Sequence, residues 1–427
     1  MSLDILATDR PITFPARGAG LEWFVMSEFP GRGKVAVVKT SPASILEDVH
    51  KVMRLGEFER ALPRDTTTGL KINISWQTWY PACSSAPWQI EGAILALQDA
   101  GYTDLVGVHN DTVVVDTAVG EINNRHRFVT DKHGIPCIYL YEENFEWFEY
   151  KPSTPLLVLD KVYPDGVFIP KALVGLNMIQ LPTVKTHVFT TITGAMKNAF
   201  GGLLHRNRHW THAVIHDTLV DLLMIQQEIH PGLFALMDGT FAGDGPGPRA
   251  MRWHQKDILL ASADQVAIDS VSARLQGFDP MQIRFIRRAH ELGLGVGDPT
   301  QIEIVGHDIE TEEPWNFRQE DTLASRGQRA IYHGPLKPLE KVLLQSPLVP
   351  WSYFASNFYH NVYWYPFVGR GRVLEALKTE WGKLFKTYGD GDVVMPGMEP
   401  KTVVQAGVAL LALIALVAIG IGLVAGR

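Results

Sequence analysis

Cysteine is nearly missing from this chain. Cys83 and Cys137 are the two among 427 residues, far apart and in no CxxC pattern. No disulfide framework, zinc ribbon or intrinsic iron–sulfur cluster can be built from them. A basic surplus is missing too. The formal charge is −7, and without a basic footprint no nucleic-acid partner is expected. The start, MSLDILATDRPITF, has no basic segment leading into an apolar one, so no secretory signal is expected. GxxxxGK[ST], GxSxG, HExxH and kinase signatures are all absent, and the Gly-rich GDGPGPR is broken by proline. No internal repeat or low-complexity tract stands out.

Long hydrophobic runs are likewise scarce, with one exception. From Thr402 to Gly426 the chain reads TVVQAGVALLALIALVAIGIGLVAG, with no charge, bracketed by Lys401 and Arg427. About 20 such residues span a bilayer core. The expectation is a C-terminal transmembrane anchor over residues 399–427, with the membrane bilayer as a partner and the bulk of the chain cytoplasmic. Gly422 and Gly426 form a GxxxG pair, a pattern that supports a homodimer.

The rest alternates strand and helix signals. KVAVVK and GLKINISW read as strands, SILEDVHKVMRLG and PWQIEGAILALQDAGY as helices, and TDLVGVHND as a strand ending in polar residues. The rhythm recurs later: ALVGLNMIQLP, LFALMD, DILLASAD and QIEIVG are strands, and THAVIHDTLVDLLMIQQEIHPG a helix opened by Thr211. This predicts an α/β fold over residues 1–335, a mostly parallel sheet layered with helices. In such sheets the functional loops lie at the carboxyl ends of strands. The Lys185 stretch, Asp238 and Asp264 are all expected there. Residues 336–398 differ, with the aromatic WSYFASNFYHNVYWYPF followed by RVLEALKTEWGKLFKTY. Leu374, Leu377, Trp381 and Leu384 share one helical face, with lysines elsewhere. A membrane-proximal surface layer is expected.

One stretch concentrates chemistry. Lys185 to His216 holds two lysines, two arginines, five histidines and no acidic residue. Lys185, Lys197, Arg206 and Arg208 suit a pocket for a carboxylate or phosphate, with Gly194, Gly201 and Gly202 allowing close backbone approach. His187 has the titration range of a general acid or base. His212 and His216, four apart, suit a divalent metal. Asp238 and Asp264 are expected to meet at one sheet edge and bind a metal or pair with the lysines. A helix N-cap is the other reading of Asp264.

The blocks LPTVKTHVFTTITGAMKNAFGGLL, ALMDGTFAGDGPGPR, LLASADQVAIDSVSARLQGFDP and GLGVGDPTQIEIVG closely resemble the domain-of-unknown-function family 362. The resemblance runs from about residue 34 to 306. It implies functional weight at Lys71, Asn73, Lys185, His187, Lys197, Asn198, Asp238, Asp264 and Asp269. Many relatives carry a four-cysteine cluster, from which this chain departs. A fainter similarity is to the nickel-pincer lactate racemase family, through His187, Lys197 and His212 or His216. It implies a lysine that tethers a cofactor and histidines that act as acid–base groups and metal ligand. The Gly-Gly expected before that lysine is replaced here by Ala195-Met196. The expected function is a membrane-anchored enzyme acting on an anionic, amphiphilic small molecule. Lys185, His187 and Lys197 would be catalytic, and Lys71, Asn73, Asn198, Arg206 and Arg208 would bind substrate. The alternative is a non-catalytic membrane-tethered binding or assembly protein.

Overall fold

The computed structural model describes residues 29–110, 115–142, 145–344, 346, 350–395, 398 and 404. The uncharged run that begins at Thr402, with its Gly422–Gly426 pair, lies outside the described residues apart from Val404. Among the described residues no helix is long and apolar enough to cross a membrane.

Twelve strands are described: β1 (Lys34–Lys39), β2 (Thr68–Ile72), β3 (Leu105–His109), β4 (Cys137–Tyr139), β5 (Trp147–Tyr150), β6 (Val167–Pro170), β7 (Asn177–Leu181), β8 (Thr183–His187), β9 (Thr191–Ile192), β10 (Leu233–Asp244), β11 (Arg252–Ser262) and β12 (Glu303–Gly306). Ten form one sheet, in the order β12-β1-β11-β10-β7-β2-β3-β4, with β8 on β10 and β9 on β8. β5 and β6 form a separate pair. β2, β3, β7 and β10 are buried almost throughout, as strands covered on both faces must be. One face carries the helices Ile45–Leu55 and Pro87–Asp99, around Val49, Phe58, Trp88 and Ile90. The other carries Ile215–Ile229 and Arg284–Glu291, around Leu219, Leu223, Phe285 and Ile286. The architecture is the α/β arrangement that the alternation predicts.

β11 departs from the parallel rule. It runs antiparallel to both β10 and β1. LFALMD does not stop at Asp238 but continues to Asp244, and the chain returns through Gly245–Met251 as a long hairpin. Asp238 therefore sits inside a strand, opposite Leu259. Asp264 follows the end of β11, beyond the Ala235–Ser262 pair, at the amino end of the neighbouring parallel strands. The two carboxylates do not meet at one edge. The antiparallel return sends them to different levels of the sheet.

The aromatic C-terminal segment is divided. Trp364, Tyr365, Val373, Leu377, Trp381, Phe385 and Tyr388 are buried in the same core as Trp76, Trp79 and Trp88. Trp79 stacks on Phe385 with ring centroids 4.2 Å apart, and Trp88 lies 5.0 Å from Trp381. Leu374, expected on the same face as Leu377 and Trp381, is exposed. Residues 364–388 thus complete the α/β core, while other rings of the segment face outward.

Candidate functional site

A cavity of about 300 Å³ lies at the carboxyl ends of the parallel strands. β2 delivers Lys71 and the following Asn73, β3 delivers His109, and β8 delivers His187. Gly247–Arg249 enter from the turn after β10. Lys197 rides on the short helix Ala195–Asn198, and Arg208, His209 and His212 on the 3-10 stretch Arg206–Val214. Thr322, Ser325, Gln328 and Tyr332 cover one side, Ser356 and His360 another. Among the described residues no aspartate or glutamate lines it.

Four cations, Lys71, Lys197, Arg208 and Arg249, face this space. Lys71 is buried and donates to the Ile72 carbonyl at 2.6 Å. Burial first, then the Arg208 charge, lowers its pKa to about 7. Its alkyl chain runs along Gly202, where a Cβ would come within 3.2 Å of Cε. Gly202 therefore makes room for this lysine. Lys197 is partly buried, its ammonium 5.8 Å from the Phe200 ring centroid. Burial, then Lys185, Arg208 and Arg249, lowers it to about 7 as well. Arg249 donates to the Ser75 carbonyl at 3.1 Å and lies over the Trp76 ring at 4.5 Å. Cations this close, taken out of water, repel each other, and an anion in the cavity would relieve the repulsion.

The histidines have distinct proton positions. His187 Nδ1 receives the backbone N–H groups of Phe189 at 3.2 Å and Thr190 at 3.3 Å. A proton on Nδ1 would face two donors, so the neutral ring carries it on Nε2. Burial, then Lys197 and His212, holds its pKa well below the usual value. His187 is a fixed hydrogen-bond donor, not the general base that its residue type suggests. His212 is the reverse. Its Nδ1 donates to the His209 carbonyl at 2.9 Å, which leaves a lone pair on Nε2. Burial pulls it down to about 4. His360 is built the same way, with Nδ1 donating to the Ser356 carbonyl at 2.9 Å.

Of the remaining expected residues Asn73 and Asn198 also line the cavity, while Lys185 and Asp269 do not. Lys185 is 1% exposed and does not line the cavity. Its ammonium donates to the Cys83 carbonyl at 2.5 Å, to Thr183 Oγ1 at 2.9 Å and to Ser75 Oγ at 3.4 Å. It ties the Ser75–Cys83 loop to β8. Asn198 Nδ2 donates to the Lys71 carbonyl and to Gln180 Oε1, both at 2.8 Å. Asn73 Nδ2 donates to the Cys83 carbonyl at 3.3 Å, and its Oδ1 accepts from Ser75. Arg206 opens the 3-10 stretch. Asp269 accepts the Ala195 and Met196 amides at 2.6 and 3.1 Å, anchoring the helix that bears Lys197. Gly194 precedes that helix at φ +147°, where a Cβ would lie 2.3 Å from Asp269 Oδ1, so glycine is required.

The expected metal set does not assemble. His212 lines the cavity and, together with His216, a second space of about 200 Å³, where His216 stacks on Phe285 at 5.9 Å. His212 lies on the 3-10 stretch and His216 on the helix that follows, so an unbroken i, i+4 face is not formed. Asp238 accepts from the Thr240 amide and hydroxyl at 2.9 and 3.2 Å. Asp264 accepts four amides, of Gly33, Val266, Ala267 and Val296, at 2.9 to 3.0 Å. It is an N-cap that also pins two loops. Among the described residues no three His, Cys, Asp or Glu groups converge as a metal site. These residues do not fit a divalent metal.

Arg249, His109 and His360 were not singled out by sequence reasoning. Arg249 lies in GDGPGPR, a segment weighed only as a dinucleotide motif. His109 ends a strand in VGVHND, a position where site residues are expected. His360 is hidden in an aromatic run whose bulk signals packing.

The lysines make stability depend on pH. Lys71 and Lys185 titrate near 7 and 8 when folded, against 10.5 for a free lysine. Above those values the unfolded chain binds more protons, so stability rises with pH, by about 1 kcal/mol per lysine per pH unit at most. Asp269, raised to about 8, opposes this only below about pH 8. The Tm of the ligand-free protein is therefore expected to climb between pH 8 and 9 in calorimetry. Sulfate, whose charge is fixed, should stabilise less across the same interval. A falling Tm would place the lysines in water.

Comparison with known proteins bears on the same segment. A Synechocystis sp. protein, thylakoid-associated protein sll1697, is 30% identical over 134 residues, 30% of this chain. The chain spans 40% of the length of that relative. No solved structure matches. Residues 69–274 match the profile of the family described as Domain of unknown function (DUF362). The match runs from β2, which bears Lys71, to the helix that bears Asp269.

Proposed function

We propose that the chain is an enzyme that binds an anionic small molecule in the cation-lined cavity and performs acid–base chemistry on it. The observation that carries this reading is the lining itself, which gathers Lys71, Lys197, Arg208 and Arg249, with no aspartate or glutamate among its described residues. The cations would hold a phosphate or carboxylate group. His212 Nε2, with its lone pair, would take a proton from the substrate. His187 Nε2–H would donate to an oxygen on which charge develops. The cation set supports ligand binding by Lys197 ahead of the cofactor tether that the racemase resemblance implies. We also propose that the uncharged run from Thr402 anchors the chain in a membrane. The thylakoid association in the name of the Synechocystis relative supports membrane association in general.

The test is made on full-length protein in detergent. Sulfate, inorganic phosphate and a short dicarboxylate are titrated calorimetrically at pH 7. Exchange of carbon-bound protons of 2-oxo and 2-hydroxy acids with D2O is then followed by NMR. Anion binding is expected. His212→Asn should lower any exchange by about 10²–10⁴-fold, the usual worth of a general base, while anion affinity stays within a few-fold. Absence of binding by every anion would sink the reading.

A further inference from the structure

The helical run Pro350–Asn357, Phe358–Gly369 and Arg370–Ala376 has two unlike faces. Its inner face lines the cavity at Ser356 and His360 and buries Trp364 and Tyr365 against Tyr80, with ring centroids 5.7 Å apart in both pairs. Trp253 Nε1–H donates to the Arg372 carbonyl at 2.9 Å and holds the run down. The outer face is apolar and uncovered among the described residues. Phe354 is 58% exposed, Phe358 43%, Tyr363 56%, Phe367 78% and Leu374 44%. The rings form two short files, Phe354 to Phe358 at 6.0 Å, and Tyr359 to Tyr363 to Phe367 at 6.0 and 6.1 Å. Each large ring gains about 2–3 kcal/mol on leaving water. A contiguous exposed patch of such rings marks a docking surface.

We infer that this aromatic ridge lies in the headgroup layer of an anionic lipid bilayer. Three observations select that occupant. Tyr359 and Tyr363 carry the polar tip that suits the membrane interface, and Phe354, Phe358 and Phe367 add apolar area beside them. From residue 350 to 388 there are five basic residues (Arg370, Arg372, Lys378, Lys383, Lys386) against two acidic ones (Glu375, Glu380), in a chain of charge −7. Arg370, Lys378, Lys383 and Lys386 are exposed, Lys383 pairing with the exposed Glu380. Finally, the uncharged run begins at Thr402, shortly after the helix Glu380–Thr387. The surface does not depend on cavity chemistry, so it can fail or stand alone.

Full-length protein is reconstituted into vesicles of phosphatidylcholine and phosphatidylglycerol in equal amounts. A nitroxide is placed by Phe358→Cys or Phe367→Cys in a Cys137→Ser background, since Cys83 is buried. The control is Ile122→Cys, also at an exposed apolar position. Ridge labels are expected to collide with lipid-soluble oxygen and to be shielded several-fold from a water-soluble nickel complex relative to the control. Water exposure equal to the control overturns the inference. So does strong spin–spin coupling between labels without oxygen collisions, which would show a second copy covering the ridge.

Discussion

Lys197→Met is expected to weaken sulfate or phosphate binding about 10–100-fold, because a hydrogen bond to a charged group is worth about 1.5–3 kcal/mol. The same variant should keep or raise the Tm of the ligand-free protein. Both effects have one cause. The Lys197 ammonium sits in a space shared with Lys71, Arg208 and Arg249, and no carboxylate lines that space among the described residues. Burial, then the charges of Lys185, Arg208 and Arg249, lowers its pKa to about 7 and disfavours the charged form. Methionine fills a similar volume without that cost. A residue kept at the expense of stability is a mark of ligand binding. Isothermal titration and calorimetry on the same sample read both quantities. Unchanged affinity would show that Lys197 does not face the ligand. A large loss of Tm would make it structural.

Trp381→Ala should destabilise the protein by about 3–5 kcal/mol, as truncation of buried large aromatics does. Trp381 is fully buried, lies 5.0 Å from the Trp88 ring and donates from Nε1 to Asp257 Oδ1 at 2.6 Å. Its loss opens a cavity between a helix of the α/β layers and the C-terminal segment, and leaves the half-buried Asp257 carboxylate short of a donor. Urea denaturation of the full chain measures the change. Phe367→Ala, at a ring 78% exposed, should by contrast change stability by about 0.5 kcal/mol or less, as surface substitutions do. A small effect at Trp381 would mean that residues 336–398 form a detachable layer. A large one predicts that a chain ending at residue 335 does not hold its fold.

The α/β layering was legible because apolar runs of strand length alternate with amphipathic helices. The direction of β11 was not, since DILLASAD is equally apolar whichever way it runs. That one reversal moved Asp264 away from Asp238. The stretch from Lys185 to His216 stood out by its charge, and its residues Lys197, Arg208, His187 and His212 do reach one cavity. All five residues of β8 are buried, however, so alternation could not tell that His187 faces the cavity while Lys185 is spent on Cys83, Thr183 and Ser75. Nor could residue type reveal that two amides fix the proton of His187 on Nε2. Arg249 and His360 join the site through long-range packing, which has no local signature.

The pairing of β1 sets a timetable for synthesis. This first strand, KVAVVK, finds its neighbours in β11 and β12, more than 200 residues later in the chain. At roughly 5–20 residues per second a ribosome needs about 10–45 seconds to make that stretch. Throughout that time the strand has neither edge satisfied, and its valines have no sheet to join. The nascent chain therefore carries an aggregation-prone segment near its start for most of its translation. Ribosome-bound chains stopped before β11 should recruit holding chaperones, and chains extended past β12 should release them.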